Sequence, residues 1–159
     1  MTEIHKTAVL NATAERLFAF LIDPQNISKY VPNVERVFGF TGGEQMVGDS
    51  FRVRDKRLGI TFDELFTLTL SAVPPKNTPH RRFAIGRSFD GPLQGSLRWT
   101  LEALDNETEV GLDLEYRLVG GLVGRAFDVL VLRRINQSRI AHLLENLKLA
   151  MALPAASRT

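Results

Sequence analysis

The sequence predicts an α+β protein in which one antiparallel β-sheet is covered by a long C-terminal helix. The first observation is a stretch of about thirty residues, Gly120 to Ala152, that contains no proline and ends before Pro154. The second is a period of two between Val34 and Leu118, where apolar and polar residues alternate between short turn sequences. Strands joined by short turns form a meander, and only the terminal helix is long enough to cover its apolar face.

A strand and two short helices are predicted before the meander. Residues 3–10 alternate as a first strand, and Thr13 is suited to cap a helix whose apolar residues recur at helical spacing. Asp23 and Pro24 begin a second helix, because Asp is a good cap and proline fits the first helical position. The predicted order is therefore β-α-α-β6-α.

Turn sequences divide the meander into six strands. Gly42-Gly43 marks the turn between the first two strands, and the charged run Asp55-Lys56-Arg57 marks the next turn. Pro74-Pro75 ends the longest strand. The alternation indicates one apolar face and one solvated face.

Composition narrows the class of protein. A chain of 159 residues with 44% hydrophobic residues and a net charge of +2 is an ordinary globular sequence, and we expect one domain over residues 1–159. Basic residues are scattered, so nucleic acid is not an expected partner. The absence of cysteine excludes disulfides and thiol catalysis. Without an apolar signal segment, and with the run Leu122–Leu132 too short to cross a bilayer, we expect a cytoplasmic protein with no stable membrane insertion.

Three segments resemble one known superfamily. They are ATAERLFAFLIDPQNISKYVPNVERV (Ala12–Val37), VGDSFRV (Val47–Val53) and the closing GGLVGRAFDVLVLRRI with LLENLK. With the element order, they resemble the START-like, helix-grip SRPBCC superfamily, which includes polyketide cyclases, lipid-transfer domains and the birch pollen allergen. The resemblance implies a curved sheet that grips the C-terminal helix around an apolar cavity. It matches no catalytic motif residue by residue, so it implies no particular activity.

Polar residues within apolar rows are the candidates for function. Glu64 lies between Phe62 and Phe66 on the predicted inner face, and Arg87 and Arg36 interrupt two further apolar rows. A charge that faces a low-dielectric interior must be paired, hydrated or neutralised. We therefore interpret Glu64 and Arg87 as the polar end of a ligand cavity. The alternatives are a structural Glu64–Arg87 ion pair, or a β-bulge that turns either residue outward.

The terminal helix contributes to the same site. Its second half has an apolar inner face, which meets Asn136 and Arg133 when followed toward the N-terminus. The helix is thus expected to seal a core at one end and roof a cavity further along. The full set of predicted ligand-binding residues is Phe62, Glu64, Phe66, Arg87, Trp99, Arg133 and Asn136. For the three aromatic residues in this set, a plain core role is the alternative.

The favoured function is binding or carriage of a small hydrophobic ligand, such as a lipid, quinone or polyketide-like molecule. No cofactor or metal is expected, because the three histidines are dispersed and no ligand motif is present. One alternative is a cyclase-like enzyme in which Glu64, with a pKa raised by burial, acts as a general base. Another is an interaction module, a homodimer formed through the apolar segment 122–132.

Overall fold

The computed structural model describes residues 1–40, 44–57, 59–119 and 131–152, and confirms the predicted α+β order. The helical elements are α1 (Ala14–Ile22), a 3₁₀ turn (Pro24–Asn26), α2 (Ile27–Tyr30) and α3 (Arg133–Ala152). The strands are β1 (Thr2–Leu10), β2 (Val34–Phe38), β3 (Ser50–Arg57), β4 (Ile60–Ala72), β5 (Arg82–Asp90), β6 (Leu93–Leu104) and β7 (Glu107–Leu118). None of the helices described in these ranges is long and apolar enough to span a membrane.

All the strands form one antiparallel sheet in the order β1-β7-β6-β5-β4-β3-β2. Strands β2 to β7 are the predicted meander, and β1 joins its far edge by pairing with β7. Register shifts between Val34 and Arg36 in β2, and between Leu68 and Leu70 in β4, interrupt the ladder. Such bulges bend a strand and increase its twist, which favours the curved, helix-grip form of this sheet.

The predicted helix starts have the expected caps. Thr13 Oγ1 accepts a hydrogen bond from the Arg16 amide at 3.3 Å, and Asp23 Oδ1 accepts one from the Gln25 amide at 3.0 Å. The predicted inner face of the terminal helix is also confirmed, since Ile140, Leu143, Leu144, Leu147 and Met151 are all buried. The part of that helix predicted over residues 120–130, and the Gly42-Gly43 turn, lie outside the described residues.

Two details of the prediction are wrong. The charged run Asp55-Lys56-Arg57 is not a turn but the end of β3, where Asp55 is buried. Arg36 does not face the interior: it is exposed, because the bulge after Val34 shifts the alternation so that Val37 packs against the core. The first error arises because charge was taken as a sign of solvent exposure. The second arises because a bulge interrupts the strand period.

Candidate ligand-binding site

A cavity lies between the sheet, α2 and the first half of α3. Its open space measures about 130 Å³. Most of its wall is apolar, and the apolar lining residues are Ile27, Val31, Val34, Val53, Phe66, Phe89, Leu93, Leu97, Trp99, Leu112, Leu114, Ile140 and Leu143. Phe66 stacks on the fully buried Phe51 with ring centroids 5.6 Å apart, so this part of the cavity wall is backed by the core.

Four charged side chains form a buried charge cluster on the cavity wall: Asp55, Arg57, Glu64 and Arg139. Asp55 Oδ2 forms an ion pair with Arg139 Nη1 at 2.7 Å, and it accepts a hydrogen bond from Arg57 Nη2 at 3.0 Å. Arg57 Nη2 also donates to Glu64 Oε2 at 3.3 Å. Because Arg139 belongs to α3 and the other three residues to β3 and β4, the cluster ties the helical roof to the sheet.

The strand pattern explains why this cluster faces inward. Phe51, Val53, Asp55 and Arg57 occupy alternate positions of β3, and a strand places such positions on one face. The β3–β4 register sets Val53 opposite Glu64, so the acid joins the same face from the neighbouring strand. The inner face of β3 is therefore apolar at one end and charged at the other.

Burial changes the protonation equilibria in the cluster. Burial raises the pKa of Glu64 above its ordinary value of 4.5, although the adjacent Arg57 guanidinium opposes this effect. For Arg139, burial has the opposite effect and lowers the pKa, whereas the adjacent Asp55 carboxylate raises it. A guanidinium keeps its proton in proteins, so the cluster contains two permanent cations.

Three polar atoms of the cluster are incompletely satisfied. Asp55 Oδ1, Arg57 Nε and Glu64 Oε1 are buried and have no hydrogen-bond partner within the described ranges, although Glu64 Oε1 lies 3.2 Å from Arg57 Nη2. Buried polar atoms are nearly always paired, and those that are not call for an explanation. Two acceptors and one donor of the cluster are thus left without a hydrogen bond.

Arg87 lies on the same cavity but in a different setting. Its Nη2 donates to the carbonyl oxygens of Leu21 and Ile22, both at 3.0 Å, and to Gln45 Oε1 at 3.3 Å. The guanidinium therefore caps the C-terminus of α1, where the helix dipole favours a cation. Glu64 pairs with Arg57, so the alternative interpretation, a structural Glu64–Arg87 ion pair, is not the arrangement observed.

Of the seven predicted ligand-binding residues, the cavity brings together Glu64, Phe66, Arg87, Trp99 and Asn136. Phe62 is half-buried near the start of β4, opposite Asp55, and is not among the residues that line the cavity. Arg133 is exposed, which contradicts its predicted inward position. Arg133 lies about 60° around the helix from Asn136, and the inner stripe continues instead through Leu132, which is buried.

Sequence reasoning missed Asp55, Arg57 and Arg139. The period of two that placed Phe51 and Val53 inward would have placed Asp55 and Arg57 inward as well, had it been continued through the charged run. Arg139 directly precedes Ile140, at the flank of the apolar stripe, where a long side chain can reach the sheet.

The curved sheet, the C-terminal helix and the cavity between them are the features of the START-like, helix-grip fold. The chain belongs to the family described as polyketide cyclase / dehydrase and lipid transport, whose model matches residues 1–152. A search of the curated proteins finds no match.

Solved structures show the same fold. TTHA0849 from Thermus thermophilus is 18% identical with a TM-score of 0.71, covering 99% of this chain and 100% of that chain. A START superfamily protein from Mycobacterium smegmatis is 15% identical with a TM-score of 0.70, covering 94% and 96%. The Zhui aromatase/cyclase from Streptomyces sp. R1128 is 20% identical with a TM-score of 0.61, covering 95% and 96%. At these identities the likeness establishes the fold alone.

Proposed function

We propose that this protein binds a small hydrophobic molecule that carries one polar group. The observation that carries this proposal is the combination of an apolar cavity wall with three polar atoms that have no hydrogen bond, Asp55 Oδ1, Arg57 Nε and Glu64 Oε1, in residues that line the same cavity. The apolar body would gain free energy by leaving water, at about 25 cal/mol per Å² buried. A hydroxyl or carbonyl group would satisfy one of these three polar atoms and so orient the ligand.

The size of the cavity limits the ligand. An open space of about 130 Å³ is similar to an engineered cavity of about 150 Å³ that binds benzene. A molecule with one ring or a short chain fits without rearrangement, whereas a long lipid or a fused-ring molecule requires side chains to move. For a ligand of this size, dissociation constants on the order of 1–100 μM are reasonable.

Native mass spectrometry with a panel of short fatty acids, quinones and phenolic ketones tests this proposal. Wild-type protein is expected to take up members of the panel in a one-to-one ratio. Leu97→Trp, which fills the cavity from β6, should weaken uptake at least tenfold. Leu104→Trp on the same strand is the matched control, because Leu104 is exposed, and it should bind as the wild type does. Equal uptake by both variants would place the ligand elsewhere.

A second candidate function is proton transfer to or from a bound carbonyl compound, as in a cyclase-like enzyme. The observation that favours it is the position of Glu64, a buried carboxyl on the cavity wall whose pKa is raised by burial. A carboxyl group with a pKa nearer neutrality is a better general acid or base at the pH of the cell.

The pH dependence of stability tests the state of Glu64. A carboxyl whose folded-state pKa exceeds its unfolded-state value binds its proton more tightly in the folded protein. Its contribution to stability is therefore complete below the ordinary value of 4.5 and is lost as pH rises through the raised pKa. The Glu64→Gln variant cannot lose stability in this way. Its free energy of unfolding should therefore rise relative to that of the wild type between pH 4.5 and neutrality. The rise should be about 1.4 kcal/mol for each tenfold difference in proton affinity between the folded and unfolded states.

Urea denaturation of both proteins at several pH values from 4.5 to 8 measures this difference. Parallel stability curves, or a variant that loses stability relative to wild type as pH rises, would show that Arg57 keeps Glu64 ionised. The role of Glu64 as a proton carrier would then be excluded.

A further inference from the structure

A basic groove of about 340 Å³ lies on the outer side of the buried charge cluster. It runs between the turn at Asn33, the end of β3 and the first half of α3. Four Lys and Arg residues line it, Lys56, Arg57, Arg134 and Arg139, and so does His142. No Asp or Glu is among its lining residues as far as the described residues go.

The charge of the groove is only partly neutralised. Asp55 pairs with Arg57 and Arg139 from the cavity side, and Glu64 pairs with Arg57. Lys56 and Arg134 are exposed, and no carboxylate lies within ion-pair distance of either one in the part of the chain that the structure describes. The groove is therefore a site of positive potential, and one that a negatively charged group would occupy favourably.

Arg57 and Arg139 line both the groove and the cavity. These two residues thus belong to the walls of both the apolar cavity and the basic groove. A molecule bound in the cavity that extends past them would place its outer end next to Lys56 and Arg134.

Resting on the proposed function, we infer that the ligand is an anionic amphiphile: its apolar body occupies the cavity, and its carboxylate or phosphate group binds in the basic groove. Arginine presents a planar fork of N–H donors that matches the oxygens of either group, and lysine adds a compact charge. The Ser138 hydroxyl and the Asn33 amide also line the groove and can serve as neutral donors.

Isothermal titration calorimetry with three probes tests this inference. Hexyl phosphate has both an apolar chain and an anionic group, 1-hexanol has only the chain, and inorganic phosphate has only the anionic group. Hexyl phosphate should bind the wild type roughly tenfold more tightly than 1-hexanol, and this preference should decrease as salt is added. The double variant Lys56→Gln, Arg134→Gln should lose the preference and bind 1-hexanol as before. Its folding is not at risk, because both side chains are exposed.

The matched control is Lys76→Gln, Arg98→Gln, which removes the same charge from exposed positions away from the groove and should keep the preference. Equal affinity of the wild type for hexyl phosphate and 1-hexanol would overturn the inference while leaving cavity binding intact. Equal affinity of the wild type for inorganic phosphate and hexyl phosphate would also overturn the inference. The groove would then be a separate site for small anions, to which the hexyl chain contributes nothing. Binding of neither amphiphile would contradict the proposed function itself.

Discussion

Replacing Asp55 with alanine is expected to lower the free energy of unfolding by about 3–5 kcal/mol, the cost of breaking a buried ion pair by removing one partner. The Asp55 side chain is 3% exposed and those of Arg57 and Arg139 are 14% and 13% exposed. Without the carboxylate, two guanidiniums would remain next to each other in a poorly hydrated site. The roof helix would also lose its charged link to β3.

Urea denaturation at neutral pH measures this effect, and Asp63→Ala is the matched control. Asp63 also binds an arginine, Arg54, through two hydrogen bonds of 2.8 and 3.0 Å, but on the solvated face of the same two strands. Water solvates an exposed guanidinium left without a partner, so this change should leave stability nearly unaltered. If the two variants lost the same stability, the buried charge cluster would not connect the roof to the sheet as described.

Replacing Gly95 with alanine is expected to destabilise the protein by about 3 kcal/mol, at the upper end of what overpacking costs. Gly95 lies opposite Tyr116 in the β6–β7 ladder, and an added Cβ would lie 2.8 Å from the Tyr116 Cα and in collision with the Glu115 carbonyl oxygen. Both neighbours are backbone atoms of a central strand pair, so the ladder itself must separate. Tyr116 lines the cavity, and its wall would move with the strand.

Thermal unfolding measures this change, which corresponds to a midpoint lower by roughly 6–12 °C. Gly111→Ala in the adjoining strand β7 is the matched control, since its added Cβ would have its nearest contacts with Thr100 at an ordinary 3.9 Å. An unchanged midpoint for the Gly95 variant would mean that β6 and β7 do not approach as closely at this point as the structure has them.

The fold could be predicted from the sequence because its signals are local and repeat over many residues. The caps at Thr13 and Asp23, the alternation of the strands and the apolar stripe of α3 each depend on residues a few positions apart. The exception at Arg36 is instructive: one bulge after Val34 reverses the face of the residues that follow, and period alone does not locate a bulge.

The site could be predicted only in part. Glu64 and Arg87 were identified as buried charges because each interrupts an apolar row, but their partners come from distant segments and no local pattern indicates them. Arg87 caps a helix rather than pairing with Glu64, and Arg139 reaches Asp55 from the other end of the chain. Arg133 was misplaced because the inner face of a helix can continue from Asn136 through the residue three or the residue four positions earlier. In the structure it continues through Leu132, four positions earlier, which is buried.

A methyl-labelled NMR titration with 4-ethylphenol, a one-ring ligand with one hydroxyl group, tests ligand binding in the cavity most directly. We expect shifts of the methyl signals of Leu97, Ile140 and Leu143, which line the cavity, and we expect these shifts to saturate at one ligand per chain. The exposed methyl groups of Val73 and Leu104 should not respond. Shifts of equal size at the exposed methyl groups, or no saturable shift of the methyl signals that line the cavity, would contradict ligand binding in the cavity.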